Sequence, residues 1–362
     1  MKILLLGDFS SSHYNLQQAL KEREHDVTLV SRGDGFKRTP SDVKLYTRKP
    51  TENKILGAIK EMYNQYEISK TLRNFDIVQT AAHVFFHNRI DKYLFPKIFD
   101  YNKKTVMFHG ASTLPYNRFV KTLKYFPCDT CKLYDLPGNK CIHEEPDAES
   151  IEYSLYERYN AIVSSHYEYY KSFENTIFKN KNLFIPIIIK HNKQNILPSF
   201  DGKLNVYYGE IRKGFKGGAV IEKAIEMVKS STYSEKFNFF TSKHIPYDEY
   251  IKVINETHIL IDQVNSYSYG VNSLIGMSKG KIVLSGAEKE AVEFMGSTVE
   301  ECPIINIEPT AEDVFNKLIS LLNDKKNLRE RSEGGISFVQ KYHSPEKISQ
   351  QYETFYQSLL NE

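Results

Sequence analysis

The chain has 362 residues, 41% hydrophobic and 26% charged, enough apolar content to pack two ordinary domains and too much for a disordered chain. Its 48 Lys and Arg against 45 Asp and Glu leave a net charge of +3, too even for a dedicated nucleic-acid binder. No stretch approaches the ~18–20 apolar residues of a membrane span, and four cysteines, three of them clustered, do not make a secreted disulfide framework.

The opening MKILLLGDFS ends its apolar run in Gly-Asp rather than at a small-residue cleavage site, so it reads as a first strand and not a signal peptide. The expectation is a cytoplasmic protein. Strand Lys2 to Leu6, a small-residue turn Gly7 to Ser12, a helix from Tyr14 to Arg23 and strand Val27 to Val30 make a first βα unit. Continuous apolar strands alternating with helices predict a parallel sheet covered on both faces. The pattern recurs at Ile77-Val78, Thr105 to Phe108, Ala161 to Ser164 and Asn182 to Ile185. A polar break from Ile189 to Phe200 carries Pro198. Alternation then restarts with strands at Asn205 to Tyr208, Phe237 to Phe240, His258 to Ile261, Lys281 to Leu284 and Ile304-Ile305. The predicted architecture is α/β: two Rossmann-like doubly wound domains, 1–192 and 193–345, facing a cleft, with a final helix over 346–362 and a Cys-rich insert at 125–146. In open α/β sheets ligands bind beyond the strand carboxyl ends, so the turns after the strands are the sites to read.

The turn holding Gly7, Asp8, Ser10 and Ser11 lacks the G-x-G-x-x-G of a dinucleotide site, which disfavours a nicotinamide enzyme. Its small residues allow a ligand near the amides of the following helix, or simply form a Ser-capped turn. Gly209 to Gly218 joins a strand to a helix with four glycines and with Arg212, Lys213 and Lys216. Glycine lets the backbone approach a ligand, and Arg and Lys at a helix entry complement phosphate oxygens. The alternative is a solvated basic loop. Lys outnumbers Arg in this chain, as codon bias in an AT-rich genome would produce, so each Arg is informative. Ile261 to Ser273, with Gly270, Val271, Asn272 and Ser273 at a helix entry, forms a second anion cradle. Two such cradles in one domain point to a diphosphate, hence a nucleotide or nucleotide sugar. His109 follows an apolar strand at the cleft edge, where a catalytic and a structural role are both open. Cys128, Cys131, Cys141 and His143 satisfy the ligand count of a closed structural zinc site, against three reduced thiols in a loop.

Taken in order, MKILLLGD, Phe108-His109-Gly110, Gly209 through Gly217, Met277 to Leu284 and Tyr342 to Glu346 resemble GT-B glycosyltransferases, specifically the retaining family four, over nearly the whole length. The resemblance implies a nucleotide-sugar donor, UDP- or GDP-linked, and transfer to a glycan or lipid-linked acceptor with retention and without a catalytic metal. It implies that Arg212 and Lys216 hold the donor diphosphate, that the Gly270–Ser273 amides receive its distal phosphate, and that His109 lies beside the sugar. Glu290-Ala291-Val292 resembles the family turn that faces the cleft, and the tail resembles the helix that crosses back to the first domain. Peripheral membrane contact and polysaccharide biosynthesis fit the same picture; nucleic acid does not. The chain departs from the family where two glutamates are expected with seven residues between them, since Tyr267 and Ile275 stand there. That departure keeps two other readings open: a catalytically silent nucleotide-sugar-binding subunit, and a sugar-nucleotide epimerase, which the scarcity of cleft carboxylates disfavours.

Overall fold

The computed structural model describes residues 1–81, 85–110, 113–135, 141–144, 147–190 and 197–362. The first half runs β1 (Lys2–Leu6), α1 (Ser12–Lys21), β2 (Asp26–Ser31), β3 (Val43–Lys44), α2 (Lys54–Ser69), β4 (Ile77–Thr80), α3 (Asn88–Leu94), α4 (Pro96–Asp100), β5 (Lys104–His109), α5 (Leu114–Val120), α6 (Cys128–Tyr134), α7 (Ala148–Arg158), β6 (Ala161–Ser164), α8 (Tyr167–Lys171) and β7 (Asn182–Phe184). The second runs β8 (Leu204–Gly209), α9 (Gly218–Lys229), β9 (Phe237–Ser242), α10 (Tyr247–Glu256), β10 (Ile259–Ile261), α11 (Val271–Ser278), β11 (Ile282–Ser285), α12 (Lys289–Phe294), β12 (Ile305–Asn306), α13 (Ala311–Asn323), α14 (Lys325–His343) and α15 (Pro345–Asn361).

The strands pair into two parallel sheets, ordered β3-β2-β1-β4-β5-β6-β7 and β12-β11-β10-β8-β9. Side chains alternate across a strand, so each apolar strand feeds two layers. Ile3 and Leu5 of β1 join one core cluster and Leu4 and Leu6 another. In the second sheet, Ile259 and Ile261 face one layer and Leu260 the other. Burial on both faces is why these strands carry no polar alternation.

The order of each sheet reverses once. In the first it reverses between β1 and β4, in the second between β8 and β10. Those switch points, at the strand carboxyl ends, are where an open α/β sheet leaves a crevice.

The terminal helix α15 belongs to the first sheet's core: Ile348, Tyr352, Tyr356 and Leu359 pack with Ile3, Leu5, Leu16 and Leu20. Tyr356 donates its hydroxyl to Gln79 at 3.0 Å, and Glu353 accepts from Arg23 Nε at 2.8 Å. The crossing is pinned at the α14–α15 junction, where His343 bonds the Ile187 carbonyl at 2.8 Å and accepts Ile189 N–H on its own carbonyl at 3.0 Å.

The insert differs from the irregular loop that the sequence suggests. Cys128–Tyr134 is helical, with Asp129 in its first turn to complement the helix N-terminus. Part of the insert, 136–140 and 145–146, lies outside the described residues, as do Ala111 and Ser112 of the turn after His109 and 191–196 of the interdomain break.

Candidate functional site

The loop from Gly209 to Gly218 sits at the switch point of the second sheet, between β8 and α9. Its glycines are required by geometry. Gly217 has φ +74°, and a Cβ there would run into Val264; one at Gly214 would overlap the backbone at Thr130. Arg212 also adopts a left-handed φ of +56°, an uncommon conformation that an L residue holds at a cost. Its guanidinium lies over the Phe215 ring, 3.7 Å from the centroid, and its side chain is exposed. Among the described residues no carboxylate forms an ion pair with Arg212. Lys216 is engaged: it bonds Asp262, a carboxylate just past the end of β10.

Asp262 joins the two cradles. It also accepts from Ser273 Oγ at 2.8 Å and Ser273 N–H at 3.3 Å at the start of α11. Burial alone would raise its carboxyl, but Lys216 and the Ser273 bonds outweigh that and hold it below the usual range. Gly270 caps α11 in an extended conformation next to Asp262, and Asn272 accepts from the Tyr250 hydroxyl.

Two further carboxylates reach these loops from the first domain. Asp135, just past α6, accepts from Gly214 N–H at 3.0 Å and Phe215 N–H at 2.6 Å. Thr130 donates to the Gly214 carbonyl at 2.6 Å, and Asn265 donates back to Thr130 at 2.9 Å. Glu168 of α8, itself buried, accepts from Ser266 Oγ at 2.8 Å, Ser268 N–H at 2.9 Å and Ser268 Oγ. Tyr267 is likewise spent on the domain contact: its hydroxyl accepts Lys124 N–H at 3.1 Å, and its ring packs on Tyr125, whose hydroxyl donates to Glu288. Glu290 is exposed on α12, while Glu288, its neighbour by two, makes the cross-cleft bond.

In the first domain the turn after β1 is strained. Ser10 and Ser11 have φ of 54° and 58°, and Gly7 has +77°. Asp8 accepts from His13 N–H at 2.9 Å, yet its other carboxylate oxygen is buried with no hydrogen-bond partner. Burial pushes this carboxyl up to about 7, against the His13 bond that lowers it. Ser10 N–H bonds Asp34 at 2.7 Å, and Lys37 bridges Asp34 and Ser10. Tyr208 and Ser285 also bury a hydroxyl oxygen without a partner. These three residues stand at the carboxyl ends of β1, β8 and β11, the cleft side of both sheets. Buried orphan polar atoms are rare enough to mark a place for a ligand.

His109, for which the sequence leaves a catalytic and a structural role open, stands beside Thr113 and Ser164. It is fully buried at the end of β5, with one ring nitrogen 2.6 Å from Thr113 Oγ1, the other 3.3 Å from Ser164 Oγ, and its ring edge-on to Tyr169 and Phe173. Through Tyr169 it packs against α8. His166, at the start of α8, lines a small interdomain cavity with Ser268, Tyr269, Leu274 and His343, and burial holds its imidazole below the usual range.

Among the described residues no group of three or more His, Cys, Asp or Glu is arranged to hold a metal ion. Cys128, Cys131 and Cys141 are all free thiols, and part of the insert between Cys131 and His143 lies outside the described residues. Cys128 accepts a hydrogen bond from Asn117 at 3.2 Å, and burial lifts its thiol to about 11. His143 Nδ1 lies 3.7 Å from the Glu152 carboxylate and is buried without a hydrogen-bond partner.

The signal that would have found Asp262 is local, whereas Asp135 is brought to its partners only by the folded chain. Asp262 is the first polar residue after the run Ile-Leu-Ile at a switch point, and Asp135 ends a helix within reach of a glycine-rich loop.

No family model matches the chain, and no curated protein does. Solved structures do. Sucrose-phosphate synthase from Thermosynechococcus elongatus superposes with a TM-score of 0.65 at 13% identity, covering 100% of both chains. Anabaena HepE in complex with UDP gives 0.62 at 12% identity over 99% of this chain and 100% of that one. The catalytic domain of starch synthase IV from Arabidopsis thaliana, bound to ADP and acarbose, gives 0.62 at 10% identity over 100% of both. At such identity the likeness is one of architecture: this chain has the GT-B fold that glycosyltransferases use, two facing doubly wound domains with a terminal helix returned to the first.

Proposed function

We propose that the protein transfers a sugar from a nucleoside-diphosphate sugar to a carbohydrate or lipid-linked acceptor, with the donor held at the switch point of the second domain. The carrying observation is that three sets of hydrogen-bond donors on this side of the cleft each already grip an anion. The Gly214 and Phe215 amides grip Asp135, the Ser266–Ser268 loop grips Glu168, and the start of α11 with Lys216 grips Asp262. Donors arranged for carboxylate oxygens are chemically suited to phosphate oxygens. The exposed Arg212 beside them adds a charge that no carboxylate of the described residues pairs with.

As the donor's glycosidic bond breaks, negative charge builds on the departing diphosphate. Fixed N–H groups and Arg212 lower the energy of that charge, an effect worth several kcal/mol where the donors are preorganised. In this reading no metal carries that task. Asp135 has to leave the Gly214 and Phe215 amides for the diphosphate to take them, which couples donor binding to movement of the insert. On the acceptor side, Asp8 has the placement and the raised carboxyl of a group that exchanges protons near neutral pH. The anomeric outcome, retention, rests on the family resemblance alone. Structures of HepE with UDP-glucose support a hexosyl donor as the first to try.

Two observations favour a second reading, a silent nucleotide-sugar-binding subunit: His109 is enclosed, and Tyr267 and Ile275 replace the family's glutamates. A panel of UDP-, GDP- and ADP-sugars separates the two. Slow release of the nucleoside diphosphate, accelerated by an acceptor sugar or lipid, is expected of the transferase. Saturable binding without turnover across the panel would give the second reading.

A further inference from the structure

A groove runs along the crossing helix α15 where that helix passes the edge strand β7. The end of α12, from the second domain, contributes Phe294 and Met295 to it. The groove encloses about 900 Å³, at the upper end of what a ligand cleft holds. It shares no lining residue with the donor loops, and it draws on both domains and on the helix that joins them.

Its lining is chemically divided. On the α15 side, Gln351, Thr354 and Ser358 recur at three- and four-residue spacing with Gln350 beside them, so one helical face presents two amides and two hydroxyls. All four are exposed, and among the described residues their side chains make no hydrogen bond. The facing is fixed from behind, because Ile348, Tyr352, Tyr356 and Leu359 are held in the core of the first domain. The rest of the lining is apolar and rich in aromatic rings. Phe184 of β7 and Phe294 of α12 meet edge to face across the domain boundary with centroids 4.8 Å apart, and Phe355 adds a third, half-buried ring. Lys347 is the one charged residue of the lining among the described residues, and its ammonium already donates to the Lys341 carbonyl at 3.0 Å.

We propose that this groove binds a neutral oligosaccharide, a second carbohydrate site outside the cleft. The occupant has to satisfy both halves of the lining. A lipid chain or an apolar protein face would bury the amides and hydroxyls without partners, at about 1–3 kcal/mol for each group. A charged ligand finds no carboxylate and only an engaged lysine. A peptide adding to the sheet would have three residues of β7 to pair with before Pro186, which lacks an N–H, interrupts the edge. A pyranose meets both demands: its C–H face packs on an aromatic ring, and its rim of hydroxyls bonds to amides and hydroxyls. The polar stripe from Lys347 to Ser358 is about 16 Å long at the helical rise, room for several sugar units in a row. A glycan acceptor chain held there would touch both sides of the hinge. Only the origin of that chain rests on the transferase reading.

The test is calorimetry and saturation-transfer NMR on the full chain without nucleotide, with maltotetraose, cellotetraose and chitotetraose as neutral probes and tetragalacturonate as the charged control. Saturable binding of at least one neutral tetrasaccharide is expected, with transfer strongest to ring C–H protons, and it should persist in Arg212→Ala and in the presence of UDP. Gln351→Met with Thr354→Val, at exposed positions, should leave the melting temperature and nucleotide binding unchanged and weaken the saccharide at least tenfold. Failure of the groove and failure of the transferase reading are thus separate results. The proposal is overturned if no neutral tetrasaccharide binds, if the double variant binds as the wild type does, or if Arg212→Ala loses the saccharide too, which would put it in the cleft. Tighter binding of tetragalacturonate, or a wild-type dimer that the double variant splits, would also overturn it.

Discussion

Asp8 is one residue whose burial writes its own pH dependence. Its carboxyl rises from an ordinary 3.8 to about 7 because burial disfavours the charge. A group raised in the folded state binds its proton more tightly there than in the unfolded chain. The stability it supplies is complete below about pH 4 and is lost as pH climbs to about 7. Asp8→Asn keeps an oxygen for His13 N–H and removes the ionisation. It should leave stability near pH 4 almost unchanged and raise it near pH 8, by on the order of 2–4 kcal/mol. Urea unfolding at the two pH values checks this; an equal gain at both would mean that burial of the charge is not the cause. Of the groups that matter, glycines and cations were legible in the sequence, because φ near +74° at Gly217 and a basic helix entry leave a compositional trace. The carboxylates that cap them were not. Asp135 is distant in sequence from Gly214, and only the folded chain brings the insert onto the loop. His109 carried the opposite lesson: a His after an apolar strand reads the same whether it faces a cleft or, as here, bonds Thr113 and Ser164 in the interior.

Among the elements, the strands were the most legible, since burial on both sides demands unbroken apolar runs such as Lys2–Leu6 and Ile259–Ile261. Two-residue β3 left no such run and could be seen only in the structure. The fold class and the returning helix were both readable. In α15 the residues Ile348, Tyr352, Tyr356 and Leu359 recur at helical spacing, and all four are buried against the first sheet. Ile348→Ala should therefore cost about 2–5 kcal/mol, the range for deleting a buried aliphatic side chain and leaving a cavity. Chemical unfolding measures it directly, and a loss under about 1 kcal/mol would mean that α15 rests on the surface and does not complete the core. Helix α6 was hidden because Cys, Asp and Thr are weak helix formers, and its placement depends on packing against the second domain. Helix α2 shows a different limit, an apolar stripe whose outward facing is decided by its polar anchors Glu61 and Gln65.

At the scale of the molecule, the two domains are closed on each other through polar contacts that a ligand can compete for. The first domain sends Lys124, Tyr125, Thr130, Asp135 and Glu168 onto loops of the second. Among the described residues no helix is long and apolar enough to cross a membrane. The central claim is that the closed cleft receives a nucleoside diphosphate at Arg212 and the Gly214–Phe215 amides, in the place Asp135 holds. Calorimetric titration of UDP, GDP and ADP into the wild type, Arg212→Ala and Asp135→Asn tests it most directly. Saturable binding of at least one nucleotide is expected, weakened by about 1.5–3 kcal/mol in Arg212→Ala through loss of a charged hydrogen bond, and tightened in Asp135→Asn because the competing charge is gone. Equal affinity in all three proteins, or no binding of any of the three nucleotides, would contradict the account.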